Sequence, residues 1–205
     1  MTAPAHHDLV ALVGPSGSGK STLCSHLLSA LSLKLSVSYT TRAPRGSEQD
    51  GVAYHFVSRA SFEDLVAHDA LLEWAEVHGE LYGTPRALVD KAQALGQGVL
   101  FDIDHQGARQ IRAKLPSLTT ILVMPPTWAE LEQRLRGRKT DSPEVIAKRM
   151  QNAAKELSYY AMFDYVVFND KLADATRDVE AIVRSQRFRM RFAADAIESM
   201  LRERR

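Results

Sequence analysis

Four stretches of the chain are near-continuous runs of apolar residues: LVALV at 9–13, VLFDI at 99–103, LTTILVM at 118–124 and DYVVF at 164–168. A strand with one face in water alternates apolar and polar residues, whereas a strand covered on both faces has no need to. The pattern therefore predicts a parallel sheet sandwiched between helices. Helical segments with readable starts separate the runs. TLCSHLLSAL follows the first strand. Thr84-Pro85 sets a capping side chain before a first-turn proline, and the apolar pattern through Leu88 and Leu95 stops at Gly96. Thr127 with Glu130 forms a capping box for a helix carrying Leu131 and Leu135. Ser142-Pro143 opens a further helix through Ile146 and Met150 to about Tyr160, and a final helix begins near Leu172 and runs toward the C-terminus.

One region interrupts this alternation. Strand-like SVSYTT (36–41) leads into it, and from about 38 to 84 the chain offers a strand-like AYHFV (53–57), a short helix from Ser61, and LLEWAEVHGELYG, whose centre at Val77-His78-Gly79-Glu80-Leu81 reads as a hairpin. The expectation is an inserted lobe with a small mixed sheet of its own. No repeat, low-complexity tract or flexible linker separates it from the rest, so it belongs to the same fold.

Composition narrows the function classes. The 205 residues are 45% hydrophobic and 25% charged, enough for one large core with a small insert. Lys+Arg 26 against Asp+Glu 25 leaves a formal net charge of +1, so no global field gathers nucleic acid or anionic lipid, and any anion site must be local. The single Cys24 sits beside Leu23 and Leu27 and reads as small packing material. MTAPAHHDLV lacks the basic start and apolar run of a secretory signal, and no segment reaches the roughly 18 apolar residues of a membrane span. The cytoplasm is the expected compartment.

The chemistry enters at GPSGSGKST: Gly14, Pro15, Ser16, Gly17, Ser18, Gly19, Lys20, Ser21 and Thr22. It satisfies G-x-x-x-x-G-K-[ST] between a predicted strand and a predicted helix, the context that gives the pattern its meaning. Glycines let the backbone aim N–H groups at phosphate oxygens, and the following helix adds its positive end. Lys20 supplies a point charge near the β- and γ-phosphates, and the Ser21 hydroxyl is a ligand for Mg²⁺. This loop implies a nucleoside triphosphate but leaves its fate open, because GTPases, ATPase motors and small-molecule kinases share it.

The acceptor is sought in the insert. SVSYTTRAPR holds Arg42 and Arg45 around Ala43-Pro44, and each guanidinium can grip a phosphate bidentately. Tyr54 and Tyr82 offer hydroxyl donors on rigid rings. Taken singly, each arginine reads as well as a surface partner of Glu48 or Asp50, and each tyrosine as half-core. Glu73 beside Trp74 is a carboxylate in an apolar run, costly unless donors satisfy it. Guanine presents adjacent N1–H and N2–H₂ donors that suit a carboxylate, and adenine does not. Ser38 and Thr84 are short polar groups able to contact a base edge.

These residues together resemble guanylate kinase, the family that phosphorylates GMP with ATP. The resemblance covers Leu9 to Ile182 through GPSGSGKST, SYTTRAPRGSEQDGVAYHFV, LLEWAEVHGELYGTP, FDIDHQGARQIR, RLRGRKTDSPEVIAKRM and DYVVFND. It implies an α/β fold of the P-loop NTPase type: three layers around a central parallel sheet, with an inserted GMP-binding lobe and a helical lid. The implied division is a core of 8–37, 85–133 and 150–184, a GMP lobe of 38–84, a lid of 134–149 and an Arg-rich C-terminal helix of 185–205. The implied GMP site is Ser38, Arg42, Arg45, Tyr54, Glu73, Tyr82, Thr84 and Asp102. Asp102 at the end of a buried strand is open to two readings, ordering Mg²⁺ or contacting substrate. Residues 14–22 with Arg134, Arg138 and Asn169 are implied for ATP, and Lys20, Arg42, Arg134, Arg138 and Arg149 for catalysis. The chain departs from the family at His105, where an aromatic is common, and at Lys139, where glycine is common.

Phosphoryl transfer asks for positioning and charge stabilisation, with water excluded by closure of lobe and lid. GMP and dGMP are both expected acceptors. Two rivals differ in kind: a non-catalytic peptide-binding module, disfavoured by the intact GPSGSGKST, and a P-loop kinase for another phosphorylated acceptor, disfavoured by Glu73 and Ser38 beside both arginines. RSQRFRMRFAADAIESMLRERR at the C-terminus carries seven arginines and reads most simply as an exposed helix end, with contact to nucleic acid or a partner subunit as the alternative.

Overall fold

The computed structural model describes residues 8–77, 79–137 and 141–204. β1 (Leu9–Val13) is buried at every position and leads through the glycine-rich loop into α1 (Lys20–Ala30) and β2 (Leu33–Leu35). The insert follows as β3 (Tyr39–Thr40), β4 (His55–Phe56), α2 (Arg59–Ala67), β5 (Leu71–Val77) and β6 (Glu80–Pro85). The chain then returns through α3 (Arg86–Ala94), β7 (Gly98–Asp102), α4 (His105–Lys114) and β8 (Thr119–Met124). It ends with α5 (Trp128–Gly137), α6 (Pro143–Leu157), β9 (Tyr165–Phe168), α7 (Leu172–Ser185) and α8 (Met190–Glu203).

The large sheet is parallel throughout, in the order β2-β7-β1-β8-β9. Its period-2 alternation supplies two cores. Val10, Leu12, Leu100, Ile121 and Val123 pack with Leu23 and Leu27 of α1 and with Val179 and Val183 of α7. Leu9, Ala11, Val13, Val99 and Phe101 pack on the opposite face with Val89 of α3 and Ala108 and Ile111 of α4. The expected three-layer α/β architecture follows from these two faces. Because β7 and β8 flank β1 on opposite sides, a crevice opens at its carboxyl end, where such folds bind ligands.

The insert forms a second, four-stranded sheet, β4-β3-β6-β5. Its β3–β4 pair is parallel and the other pairs are antiparallel, so the sheet is mixed. Phe62, Leu71 and Leu81 form its small core. The α5–α6 hairpin has another, around Leu131, Leu135, Ile146 and Ala153. Among the described residues no helix is long and apolar enough to cross a membrane.

Several local expectations change. Thr84 does not cap α3: Pro85 holds the cap position without a side-chain bond, and the Thr84 hydroxyl turns inward to donate to Glu73. Only half of the capping box at α5 forms, since Glu130 N–H donates to Thr127 Oγ1 while the Glu130 carboxylate pairs with Arg134. α2 is capped by Ser58 rather than opening at Ser61. α6 stops at Leu157, and Tyr160–Met162 is a separate 3₁₀ turn. The last helix is two, broken at Gln186–Phe188, where buried Gln186 accepts a 2.9 Å hydrogen bond from Thr119 at the foot of β8. β2 and α4 carry too little periodicity to be read from sequence; β2 is three residues long and α4 is largely polar.

Phe62 is fully buried in a core with few other large side chains. Phe62→Ala is expected to destabilise the protein by about 3–5 kcal/mol, read from its urea unfolding midpoint. A loss below about 1 kcal/mol would show that the small sheet does not depend on this core.

Candidate active site

The glycine-rich loop leaves β1 with two backbone positions that only glycine satisfies. Gly14 has φ 145, and a Cβ there would lie 2.2 Å from the Val123 carbonyl oxygen. Gly19 has φ 94, and its Cβ would lie 2.1 Å from Asn169 Nδ2. The loop is therefore held against the ends of β8 and β9. Asn169 is 5% exposed and donates to the Ser18 carbonyl at 2.9 Å. Arg134 braces it from behind, donating to the Asn169 carbonyl at 2.9 Å and to Glu130 at 2.7 Å. Lys20 donates to the Gly14 carbonyl, curling over the loop. Arg149 of α6 donates to Ser16 Oγ at 3.0 Å and pairs with Asp141 at 3.2 Å. Arg138 lies outside the described residues.

A cleft of about 620 Å³ runs from this loop to the small sheet. Gly14 to Gly17 and Gly19 to Thr22 line one end, and Ser38, Arg45, Tyr54, Glu73 and Tyr82 the other, with Asp102 on the wall shared by both. Besides Arg134 and Asn169 behind the loop, three further expected residues do not line the cleft. Ser18 is fully buried within the loop. Thr84 is fully buried and holds Glu73 Oε1 at 2.7 Å. Arg42 is 8% exposed, ion-paired with Glu48 at 2.9 Å, bonded to the Ala43 carbonyl at 2.7 Å, and stacked 5.4 Å from the Tyr54 ring centroid. Glu48 also accepts from the Arg45 backbone N–H at 2.8 Å, so one carboxylate fixes the turn that carries both arginines. Tyr54 and Tyr82 meet edge to face at 5.8 Å.

Electrostatics sharpen the acceptor end. Burial pushes the Glu73 carboxyl from its ordinary 4.5 to about 7, against the Thr84 hydrogen bond that favours its charge. Desolvation between the cleft walls raises Asp102, and Lys20 offsets part of that rise. Cys24 is pushed up to about 12 by burial, then by Asp102, in keeping with a packing role.

Glu48 was legible as an arginine partner, and it pairs with Arg42; sequence reasoning missed Asp104, Asn152 and Glu156, which line the cleft. Asp104 caps α4 through the Gly107 N–H at 2.9 Å. Glu156 has a buried, unpartnered Oε2, and burial raises its carboxyl. A signal for two of these existed: Arg149, Asn152, Ala153 and Glu156 recur at i, i+3, i+4 and i+7, one face of α6.

A phosphate-binding loop at the switch point of a parallel sheet, facing an inserted lobe across one cleft, defines a P-loop phosphotransferase with separate donor and acceptor seats. The Guanylate kinase family profile matches residues 6–186. Over 184 residues the chain is 52% identical to the guanylate kinase of Anaeromyxobacter dehalogenans, covering 88% of this chain and 81% of that protein. Over 189 residues it is 46% identical to that of Escherichia coli strain K12, covering 91% of each. The crystal structure of guanylate kinase from Anaplasma phagocytophilum aligns with TM-score 0.74 at 29% identity, covering 91% of this chain and 89% of that one. The chain belongs to the guanylate kinase family, whose reaction is phosphoryl transfer from ATP to GMP.

The raised Glu73 carboxyl fixes a sign for stability. The folded protein holds this proton more tightly than the unfolded chain, so stability falls as pH rises from about 4.5 through about 7. Glu73→Gln, which keeps the shape without the charge, is expected to be more stable than the parent at pH 8, by up to about 3 kcal/mol, with the gap closing near pH 5. Thermal melts of both proteins at the two pH values check this; a gap that does not change with pH would refute the assignment.

Proposed function

We propose that this cleft transfers the γ-phosphoryl group of ATP to GMP, and also to dGMP, with ATP seated on residues 14–22 and the acceptor in the small-sheet lobe. The observation that carries the reading is a single cleft walled at one end by the P-loop and at the other by a buried carboxylate, Glu73. Ionised Glu73, oriented by Thr84, accepts from guanine N1–H and N2–H₂, and Ser38 contacts the base edge. A carboxylate shifted upward by burial gains most from a ligand that brings two donors. Arg45, Tyr54 and Tyr82 take the GMP phosphate, with Arg42 ordered behind them by Glu48.

In the transfer a GMP phosphate oxygen bonds to the γ-phosphorus, and the bond from that phosphorus to the β–γ bridging oxygen breaks, releasing ADP. The transition state is loose and highly charged, so positioning and positive charge carry the catalysis. Lys20 and Arg149 supply charge at the loop. Arg134 and Asn169 hold the loop in shape, and the role of Arg138 rests on the resemblance. A kinase of this family uses a divalent metal with ATP, and Mg²⁺ fits the oxygen donors present. Ser21 at the start of α1 and Asp102 share the cleft, while no group of three or more His, Cys, Asp or Glu among the described residues is placed for a metal. That is the arrangement for a cation held chiefly by nucleotide phosphates and water. Ser21, with Asp102 beside it, would hold the ion, which would supply positive charge to offset that of the transferring phosphoryl group.

A coupled assay offering ATP and Mg²⁺ with GMP, dGMP, AMP, CMP or UMP tests the reading, with turnover expected for the guanine nucleotides and lost on adding EDTA. Comparable rates with AMP would overturn the acceptor assignment. Lys20→Ala is expected to lower kcat by about a hundredfold to a thousandfold while GMP binding, measured by calorimetry, changes little. Glu73→Gln is expected to raise KM for GMP at least about tenfold with KM for ATP unchanged; equal losses for both nucleotides would indicate a folding defect.

A further inference from the structure

The third residue of α4 is Gly107, a buried glycine in the first turn of a helix. Helix propensity disfavours glycine there, and alanine would be the better residue for the backbone. Nothing in the local conformation asks for it: Gly107 is not among the glycines with positive φ, and its N–H is already satisfied by Asp104. The reason lies across the gap between the two lobes. A Cβ on Gly107 would sit 3.1 Å from Glu73 Oε2 and 3.2 Å from Glu73 Cδ, with Ile103 Cβ at 3.5 Å. These distances are a few tenths of an ångström inside ordinary contact, so the Glu73 carboxylate would have to shift by that much toward the cleft it lines. Its other oxygen is tied to Thr84 at 2.7 Å, and the residue is 6% exposed.

We infer that Gly107 is a positioning residue for base recognition: the missing side chain on α4 is the space into which the Glu73 carboxylate fits, and it sets where that carboxylate meets the acceptor base. The core helix thereby fixes a specificity group that belongs to the inserted lobe. Two neighbouring contacts support this rigid relation. Gln110, the next residue but two on α4, donates to the Trp74 carbonyl at 3.0 Å, and Lys114 donates to the Leu71 carbonyl at 3.3 Å, so α4 runs clasped along β5 on either side of Glu73. A carboxylate displaced by a few tenths of an ångström keeps its charge but loses the alignment that two parallel N–H donors require.

The inference rests on the assignment of Glu73 to guanine, and the experiment separates the two. Gly107→Ala is expected to raise KM for GMP about tenfold, leave KM for ATP unchanged, and leave the melting temperature unchanged or higher. In the Glu73→Ala background, where there is no carboxylate to displace, adding Gly107→Ala is expected to change KM for GMP less than about twofold. If Glu73→Gln and Glu73→Ala leave KM for GMP unaltered, the guanine assignment itself fails. If those variants weaken GMP but Gly107→Ala does not, the assignment stands and the inference about Gly107 is overturned. If Gly107→Ala raises both KM values or lowers the melting temperature, Gly107 is a packing residue only and the inference is likewise overturned.

Discussion

The structure depends on the close approach of the loop after β1 to the strands beside it. Gly14 lies against the Val123 carbonyl and Gly19 against the Asn169 side chain, at distances no side chain could share. These contacts exist only because β1 is held in register between β7 and β8, with β9 beyond. A loop pressed this closely presents its N–H groups at the carboxyl edge of the sheet, where the positive end of α1 also points. The donor end of the cleft is thus a consequence of sheet order, and Arg134, Glu130 and Asn169 maintain it from outside.

The acceptor end rests on an opposite principle. Glu73 is a carboxylate withdrawn from water, with Thr84 as its hydrogen-bond partner and no ion pair among the described residues, a condition that raises its proton affinity. Such a group is an energetic liability to the empty protein and an asset once a ligand brings two adjacent donors. In the proposed reading, specificity is a matter of unmet hydrogen bonding more than of shape, which is how buried polar groups discriminate most strongly between similar ligands. Glu48 shows the same economy at the phosphate side. It neutralises Arg42 and ties down the Arg45 backbone, so the turn containing Pro44 keeps its cations in place before any anion arrives.

Much of this was legible in the chain. The four apolar runs became β1, β7, β8 and β9 within a residue or two; β1, β7 and β8 are apolar because both their faces are covered, whereas β9 at the sheet edge buries Val167 and leaves Val166 and Phe168 exposed. GPSGSGKST announced its loop, since its function requires glycine at fixed positions. Less visible were elements whose signal is weak in isolation. β2 is three residues long, and α4, capped by Asp104, buries only Gly107, Ala108 and Ile111 in an otherwise polar sequence. Thr84-Pro85 had the form of a helix cap, yet a buried carboxylate nearby outbid the helix for the hydroxyl.

The sequence by itself determined the parallel α/β fold class and the phosphate loop, because each depends on spacing along the chain, and it carries the residue types of the proposed guanine site. Only the tertiary structure decided which of those residues face the cleft and which stand behind it. Arg42, Thr84 and Asn169 stand behind the cleft, Glu156 joins its wall, and Gly107 on a core helix lies against the Glu73 carboxylate of the inserted lobe. These relations join residues far apart in the chain, and they come into being when the two sheets pack against α4. No local pattern encodes a distance across that gap.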